Sequence, residues 1–195
     1  THFLYGIRNE YSGSIRYDGS ELRALDPDQL ADLRREKLAI VFQDMRLFPE
    51  PTLRDNFEIK RQLTEHHSKE TILDWAVRLG IDHRLDTPAK LCSYGEQQRA
   101  SIIRALLQPF KWILLDEPFA GVDPIAVGEI QRIIRFLTER NIGVLITDHN
   151  VRETLGICDH AYIINDGTVL AQGLPSEIIE NDSVRRFYLG ENFRM

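Results

Sequence analysis

Three short apolar runs, Ala39-Ile40-Val41-Phe42, Trp112-Ile113-Leu114-Leu115 and Val144-Leu145-Ile146, present hydrophobic side chains to both faces of any strand they form. Such runs suit strands covered on both sides, as in a parallel sheet held between helices. Between the last two runs, Ala126, Ile130, Ile133, Ile134 and Leu137 recur at helical spacing within Pro124 to Arg140, with Glu129, Arg132, Arg135 and Glu139 interleaved. Pro124 suits the first helical turn and Asp123 a cap ahead of it. Strand, helix, strand at this length predicts a right-handed βαβ unit and an α/β fold.

The middle of the chain, from about Thr52 to Lys90, is richer in Glu, Lys, Arg and His. It reads as two or three helices, with Leu63 and the set Ile72, Trp75, Ala76 and Leu79 as their apolar faces and Gly80 as a stop. The expectation is a helical lobe, residues 52–108, inserted into a single α/β domain covering 1–195. Further on, Ala161 to Ile164, then Asn165-Asp166-Gly167, then Thr168 to Ala171 is a hairpin signal. Pro175 opens a short helix, and another runs from Asp182 to Leu189 within a C-terminal tail, 182–195.

Composition narrows the function classes. Lys and Arg total 24 against 30 Asp and Glu, a formal charge of −6, which excludes a global basic field for gripping nucleic acid. No stretch approaches the roughly 20 apolar residues of a membrane span. Two cysteines, Cys92 and Cys158, are too few for a disulfide framework or a four-cysteine zinc site and read as reduced thiols of a cytosolic protein. Thr1 is not preceded by Met and opens directly into Phe3-Leu4-Tyr5, as if the front had been cut away.

Four places carry polar chemistry. Ile113 to Pro118 is an apolar strand that ends in two carboxylates, Asp116 and Glu117. Ligands of open α/β sheets bind at the carboxyl ends of strands. One acid there suits a hard cation such as Mg²⁺, directly or through water, and its neighbour suits orienting an attacking water. The bland alternative is a solvated strand-to-loop pair. Ser93-Tyr94-Gly95-Glu96-Gln97 precedes an apolar helix, so backbone N–H groups and the helix dipole favour an anion there. The alternative is a plain cap, since Ser93 and Glu96 stand at capping-box spacing. Gln43 follows one apolar run and can offer its amide to a metal or water. His149 follows another and can donate to a phosphoryl oxygen, although a lone His after a strand is more often a surface or packing residue.

The ordered set is what discriminates. With Gln43 as a Q-loop, Cys92 to Gln97 as a signature loop, Ile113 to Glu117 as Walker B, Ala120-Gly121-Val122-Asp123 as a D-loop and His149 as a switch histidine, the chain resembles the nucleotide-binding subunit of ABC transporters over nearly its whole length. The resemblance implies a P-loop NTPase-like core in which two subunits, here a homodimer, sandwich two ATP molecules head to tail. It implies that Asp116 holds Mg²⁺ and Glu117 is the general base. Gln43 contacts Mg²⁺ or the water and senses the membrane partner, and His149 contacts the γ-phosphate. Ser93 and Gly95, in the loop that Glu96 and Gln97 complete, bind ATP across the dimer, and Asp123 couples the two sites. It further implies transmembrane partner subunits, a cytoplasmic location on the inner face of the membrane, and no nucleic acid. Phe48, Leu53 and Phe57 are candidates for the groove that receives the membrane subunit, or else for the core of the lobe.

Three departures qualify that pattern. The Gly-rich loop ending in Lys and Ser or Thr is absent, so this stretch of chain is expected to bind ATP weakly and hydrolyse it negligibly, while its full-length parent is active. Tyr94 stands where the family has Gly. Either the phosphate contact is looser or the ring points away, and Tyr94→Gly is expected to preserve or raise activity. Finally, Phe119 to Pro124, Ile146 to Leu155 and Tyr188 to Arg194 resemble the ATPase of lipopolysaccharide export, whereas Val41 to Asp44 with Leu47-Phe48-Pro49 resembles the lipoprotein-release and macrolide-export type. Transport of lipopolysaccharide is therefore the first expectation. An exporter of lipoproteins or small molecules, an inactive fragment, and a soluble ABC ATPase of DNA repair or translation are the rivals.

Overall fold

The computed structural model describes residues 1–64 and 66–189. The chain forms two compact units, one of residues Thr1–Thr147 and a second beginning at Asp148. In the first, a small antiparallel pair, β1 (Arg16–Tyr17) and β2 (Ser20–Glu21), leads to helix α1 (Pro27–Glu36). Asp26 starts α1 through a reciprocal capping box with Gln29, and Pro27 occupies the first turn, where its missing N–H costs nothing. Strand β3 (Leu38–Val41) follows, then helices α2 (Leu53–Thr64), α3 (Lys69–Arg78) and α4 (Tyr94–Leu106). The unit continues with β4 (Trp112–Asp116), α5 (Pro124–Thr138) and β5 (Gly143–Thr147).

The three apolar runs do pair as a parallel sheet, in the order β3-β4-β5. Ile40 lies opposite Leu114, Leu115 opposite Ile146, and Asp116 opposite Thr147. Two of the three strands are buried: Leu38, Ala39 and Val41 of β3 are at most 2% exposed, and Ile113, Leu114 and Leu115 of β4 at most 3%. The run at 144–146 departs from expectation. Among the described residues β5 pairs with β4 alone, no residue of it is fully buried, and Leu145 is 42% exposed. An apolar run records tolerance of burial; what covers the strand decides whether burial occurs, and β3, the other outer strand of the three, is buried against α1 and α4.

The segment expected as a helical lobe contains α2, α3 and α4. Ile72, Ala76 and Leu79 are buried as expected, and Trp75 meets Phe136 edge to face at 5.2 Å. Leu63 is 71% exposed and packs no core. It lies six residues beyond Phe57, which turns it about 120° around α2 from that buried ring. Leu53 and Phe57 fill that core instead, both fully buried, so neither lines a surface groove; Phe48 is half-exposed. Gly80 follows Leu79, the residue that closes α3.

The second unit contains α6 (Val151–Leu155), a hairpin of β6 (Ala161–Asn165) and β7 (Thr168–Gly173), α7 (Pro175–Glu180) and a turn of helix α8 (Asp182–Val184) that continues helically through Leu189. The hairpin turns on Asp166 and Gly167, both at positive φ, the conformation that two-residue loops require. Leu155, Ile163, Ile178 and Val184 form its core. The expected tail 182–195 is therefore helical to Leu189, and its remainder lies outside the described residues. No helix of the described residues is long and apolar enough to cross a membrane.

The contrast within α2 is directly measurable. Phe57→Ala is expected to lower the unfolding free energy by about 3–5 kcal/mol in urea titration, as loss of a fully buried ring does. Leu63→Ala is expected to change it by no more than about 0.5 kcal/mol.

Candidate functional site

The site begins where the central strand ends. Asp116 is the last residue of β4, and its register partner is Thr147 at the end of β5. The Thr147 hydroxyl donates to Asp116 Oδ1 at 2.6 Å, and the Thr1 hydroxyl donates to Oδ2 at 2.7 Å. Glu117 then leaves the strand in the left-handed region, at φ 49°, with its N–H donating to the Thr147 carbonyl at 2.7 Å. A non-glycine residue holds that conformation only where its surroundings impose it, and such residues concentrate at functional sites. The turn throws the Glu117 side chain toward the exit of β3, where Gln43 Nε2 donates to Glu117 Oε2 at 2.9 Å. Three of the residues expected to share a site, Gln43, Asp116 and Glu117, are thus brought together by the sheet.

The signature segment is built as a helix cap. Ser93 caps α4 by accepting from the Glu96 N–H, and the Glu96 side chain accepts from the Ser93 N–H at 2.7 Å. The capping reading is therefore realised in full. The cap takes the Glu96 N–H of a 13-residue helix, and capping and anion binding at a helix start are compatible in principle. Glu96 is 7% exposed and also accepts from Arg84 at 2.8 Å, which commits its carboxylate to structure. Gln97 donates to the Cys92 carbonyl at 2.8 Å and fixes the loop behind the cap. Gly95 is close to two partners: a Cβ on it would lie 3.6 Å from Arg99 Nη1 and 3.7 Å from Asp123 Oδ2. Asp123 itself caps α5 by accepting from the N–H groups of Ile125 and Ala126, both at 3.0 Å.

Tyr94 does not point into solvent alone. Its hydroxyl lies 3.5 Å from the Gln43 carbonyl, and its ring lies 3.4 Å from where a Cβ on Gly121 would stand. His149 belongs to the second unit. Beside it the buried Asp148 carboxylate accepts from both the N–H and the side-chain amide of Asn150 at 2.8 Å, and His149 Nδ1 lies 3.7 Å from the same oxygen.

Among the described residues no group of three or more His, Cys, Asp or Glu side chains is arranged to hold a metal ion by itself. Asp116 accepts one hydroxyl on each oxygen, and a carboxylate offers about four lone-pair positions, so the donor set fits Mg²⁺.

Sequence reasoning missed Thr147, Gln98 and Arg104. Thr147 follows from the parallel register once Asp116 is placed. Gln98 donates from α4 to the Pro118 carbonyl at 3.4 Å, and Arg104 reaches the carbonyls of Met45 and Arg46. Neither pairing has a signal in the local sequence.

A parallel sheet with paired carboxylates at the tip of its central strand, a glutamine on the neighbouring strand exit and a capped helix before them define a nucleotide-hydrolase class of site. The family model for ABC transporters matches residues 1–120, and the chain belongs to that family of ATP-hydrolysing transporter subunits. It is 40% identical over 198 residues to the lipopolysaccharide export system ATP-binding protein LptB of Escherichia coli K12, covering all of this chain and 81% of that protein. It is 42% identical over 199 residues to a probable ABC transporter ATP-binding protein of Azorhizobium caulinodans, covering all of this chain and 69% of that one. Among solved structures, cbiO1 of Clostridium perfringens, part of the ABC transporter complex cbiONQ, superposes with a TM-score of 0.76 at 28% identity, over 95% of this chain and 75% of that one. A dimeric ATP-binding cassette bound to ADP and Pi superposes with a TM-score of 0.80 over 89% of this chain and 78% of that one; at 22% identity it shows the shared fold.

The cap predicts a pH dependence. Burial pushes the Glu96 carboxyl up, but the bonds from Ser93 and Arg84 outweigh it and hold the group below its ordinary value of 4.5. A depressed carboxyl stabilises fully above its unfolded value and loses that contribution as pH falls through its folded one. Glu96→Gln is expected to cost about 1 kcal/mol at pH 7. Thermal midpoints of the two proteins, measured from pH 7 down to pH 3, are expected to converge.

Proposed function

We propose that this chain provides the ATP-hydrolysing site of a bacterial ABC exporter, and that the exported molecule is lipopolysaccharide. The observation that carries the reaction is the Gln43–Glu117 hydrogen bond beside the hydroxyl-supported Asp116. In this reading Glu117 accepts a proton from the attacking water, and Gln43 keeps the carboxylate aimed. Asp116 would hold Mg²⁺, which when bound neutralises charge on the phosphates. The two threonine hydroxyls fix the Asp116 oxygens so that the carboxylate presents the same face in every turnover. Ser93 and Gly95, with Glu96 and Gln97 shaping the loop behind them, would offer the start of α4 to the γ-phosphate bound by a second copy of this chain. Asp123, which caps α5 and lies 3.7 Å from where a Cβ on Gly95 would stand, would relay between the two sites. His149 is assigned the γ-phosphate by the family pattern alone.

Transmembrane subunits would dock near the exit of β3, where Phe48 is the apolar side chain left at the surface once Leu53 and Phe57 are buried. In this reading the protein sits on the cytoplasmic face of a membrane. Support for lipopolysaccharide comes from the curated relatives. Besides the Escherichia coli protein, the lipopolysaccharide export ATP-binding protein of Acidithiobacillus ferridurans is 59% identical over 110 residues, 56% of this chain and 46% of that protein. The Azorhizobium caulinodans relative, of similar identity, is described only as a probable ABC transporter ATP-binding protein, so a different exporter is kept as the second reading.

Two measurements test this. Glu117→Gln in the longest natural form of the subunit is expected to lower ATP turnover at least about 100-fold while Mg·ATP still binds. Equal turnover in the variant would remove Glu117 as the base. Copurification from the native host is expected to bring down membrane subunits of a lipopolysaccharide exporter; recovery of a lipoprotein or drug exporter instead would establish the second reading.

A further inference from the structure

The loop that carries Gln43 is strained. After β3 it places two consecutive non-glycine residues, Met45 at φ 57° and Arg46 at φ 51°, in the left-handed region. Two such residues in succession persist only where the surroundings fix them. The Arg46 guanidinium stacks over the Phe42 ring at 3.6 Å and pairs with Asp44 at 3.3 Å, and further fixing groups come from one helix. Arg104, in the last turn of α4, donates from Nη2 to the Met45 carbonyl at 2.7 Å and from Nη1 to the Arg46 carbonyl. Burial pushes its pKa down, with the Asp44 carboxylate opposing, so the guanidinium is partly desolvated and its bonds to these carbonyls are correspondingly strong. At the other end of α4, the Tyr94 hydroxyl reaches the Gln43 carbonyl and its ring covers Gly121. Between them Gln98, fully buried, donates to the Pro118 carbonyl, one residue beyond Glu117.

One rigid helix of 13 residues therefore touches the loop on both sides of Asp44 and also the turn that carries Glu117. The Gln43–Glu117 bond is 2.9 Å long, and a displacement of about 1 Å takes such a bond out of range. The segment's next anchor lies beyond the strained turn, where the Phe48 N–H donates to the buried Asn56 side chain at 2.8 Å. We propose that Tyr94 and Arg104 are positioning residues that clamp the Gln43 loop from the two ends of α4 and so keep the Gln43 amide on the Glu117 carboxylate. This rests on the reading of Gln43 and Glu117 given above. It assigns Tyr94 a task of its own, in place of the expectation that glycine there would leave activity unharmed or raise it.

Hydrogen–deuterium exchange on the whole chain reads the clamp without needing turnover. The amides of Met45 and Arg46 donate to Phe42 and Asp44 and report the closed turn. Tyr94→Phe is expected to raise their exchange about 2- to 3-fold, the lower range for one lost neutral bond, and Arg104→Gln at least about 10-fold. Arg104→Lys should lie between, and β4 and α5 amides should keep their rates. Should Arg104→Gln fail to fold, Tyr94→Phe and Arg104→Lys carry the test. In the longest natural form of the subunit, kcat is expected to fall in order of loop opening, with the KM for Mg·ATP within about 2-fold of the parent. Gln43→Ala is the control for the underlying reading: it should lower kcat with loop exchange unchanged. Unchanged loop exchange in the Tyr94 and Arg104 variants would overturn the clamp, as would a loosened loop with full kcat. Full kcat in Gln43→Ala would instead remove the role of Gln43 and with it the purpose of the clamp.

Discussion

The register between β4 and β5 is the constraint on which the site depends. Because Asp116 pairs with Thr147, the carboxylate at the end of the buried strand meets a hydroxyl at the end of its neighbour, and the next amide returns to the Thr147 carbonyl. That return forces Glu117 into the left-handed region and turns its side chain toward Gln43. A shift of one residue in this pairing would send Asp116 to the opposite face of the sheet and dissolve the site without altering a single side chain. Ile113, Leu114 and Leu115 are buried on both faces and would tolerate the shift; the flanking Asp116, which would lose its bond to Thr147, opposes it.

Around this strand end the sequence uses the same few devices repeatedly. Asp26, Ser93 and Asp123 each cap a helix, and two of these caps lie in segments assigned to nucleotide handling. A residue that satisfies helix amides can thus be both structural and functional. Ser93 illustrates the economy. Its oxygen closes a capping box at the start of the helix that the proposed function turns toward a phosphate. Glu96 lies at the other extreme, with its carboxylate consumed by Ser93 and Arg84 and a role in shaping the loop.

Much of this was legible in the residues. The strands at 38–41 and 112–116, the helix from Pro124 and the Asp166-Gly167 hairpin follow from short-range patterns of apolar spacing, proline and glycine. Gln43, Asp116 and Glu117 were recognisable because each ends an apolar run, and chain ends of parallel strands gather on one edge. Leu63 and the run at 144–146 were misjudged because apolar character does not reveal which side of a helix, or which place in a sheet, faces the core. Leu53 and Phe57 went inside for the same reason. Arg104, Gln98 and Thr147 were invisible because each acts on a backbone carbonyl or a carboxylate tens of residues away, and a carbonyl acceptor has no letter in the sequence. Tyr94 was visible as an anomaly, and its partners emerged only from the fold.

The central claim is that the end of β4 is a metal and phosphate site, with Asp116 as its metal-holding carboxylate. Electron paramagnetic resonance of Mn²⁺ with ATP, recorded on the longest natural form of the subunit, addresses it most directly. The account predicts a bound Mn²⁺·ATP signal that Asp116→Asn weakens at least about 10-fold in affinity while the folded α-helical circular dichroism stays the same. A Mn²⁺·ATP signal of undiminished affinity in Asp116→Asn would place the metal elsewhere and contradict the account.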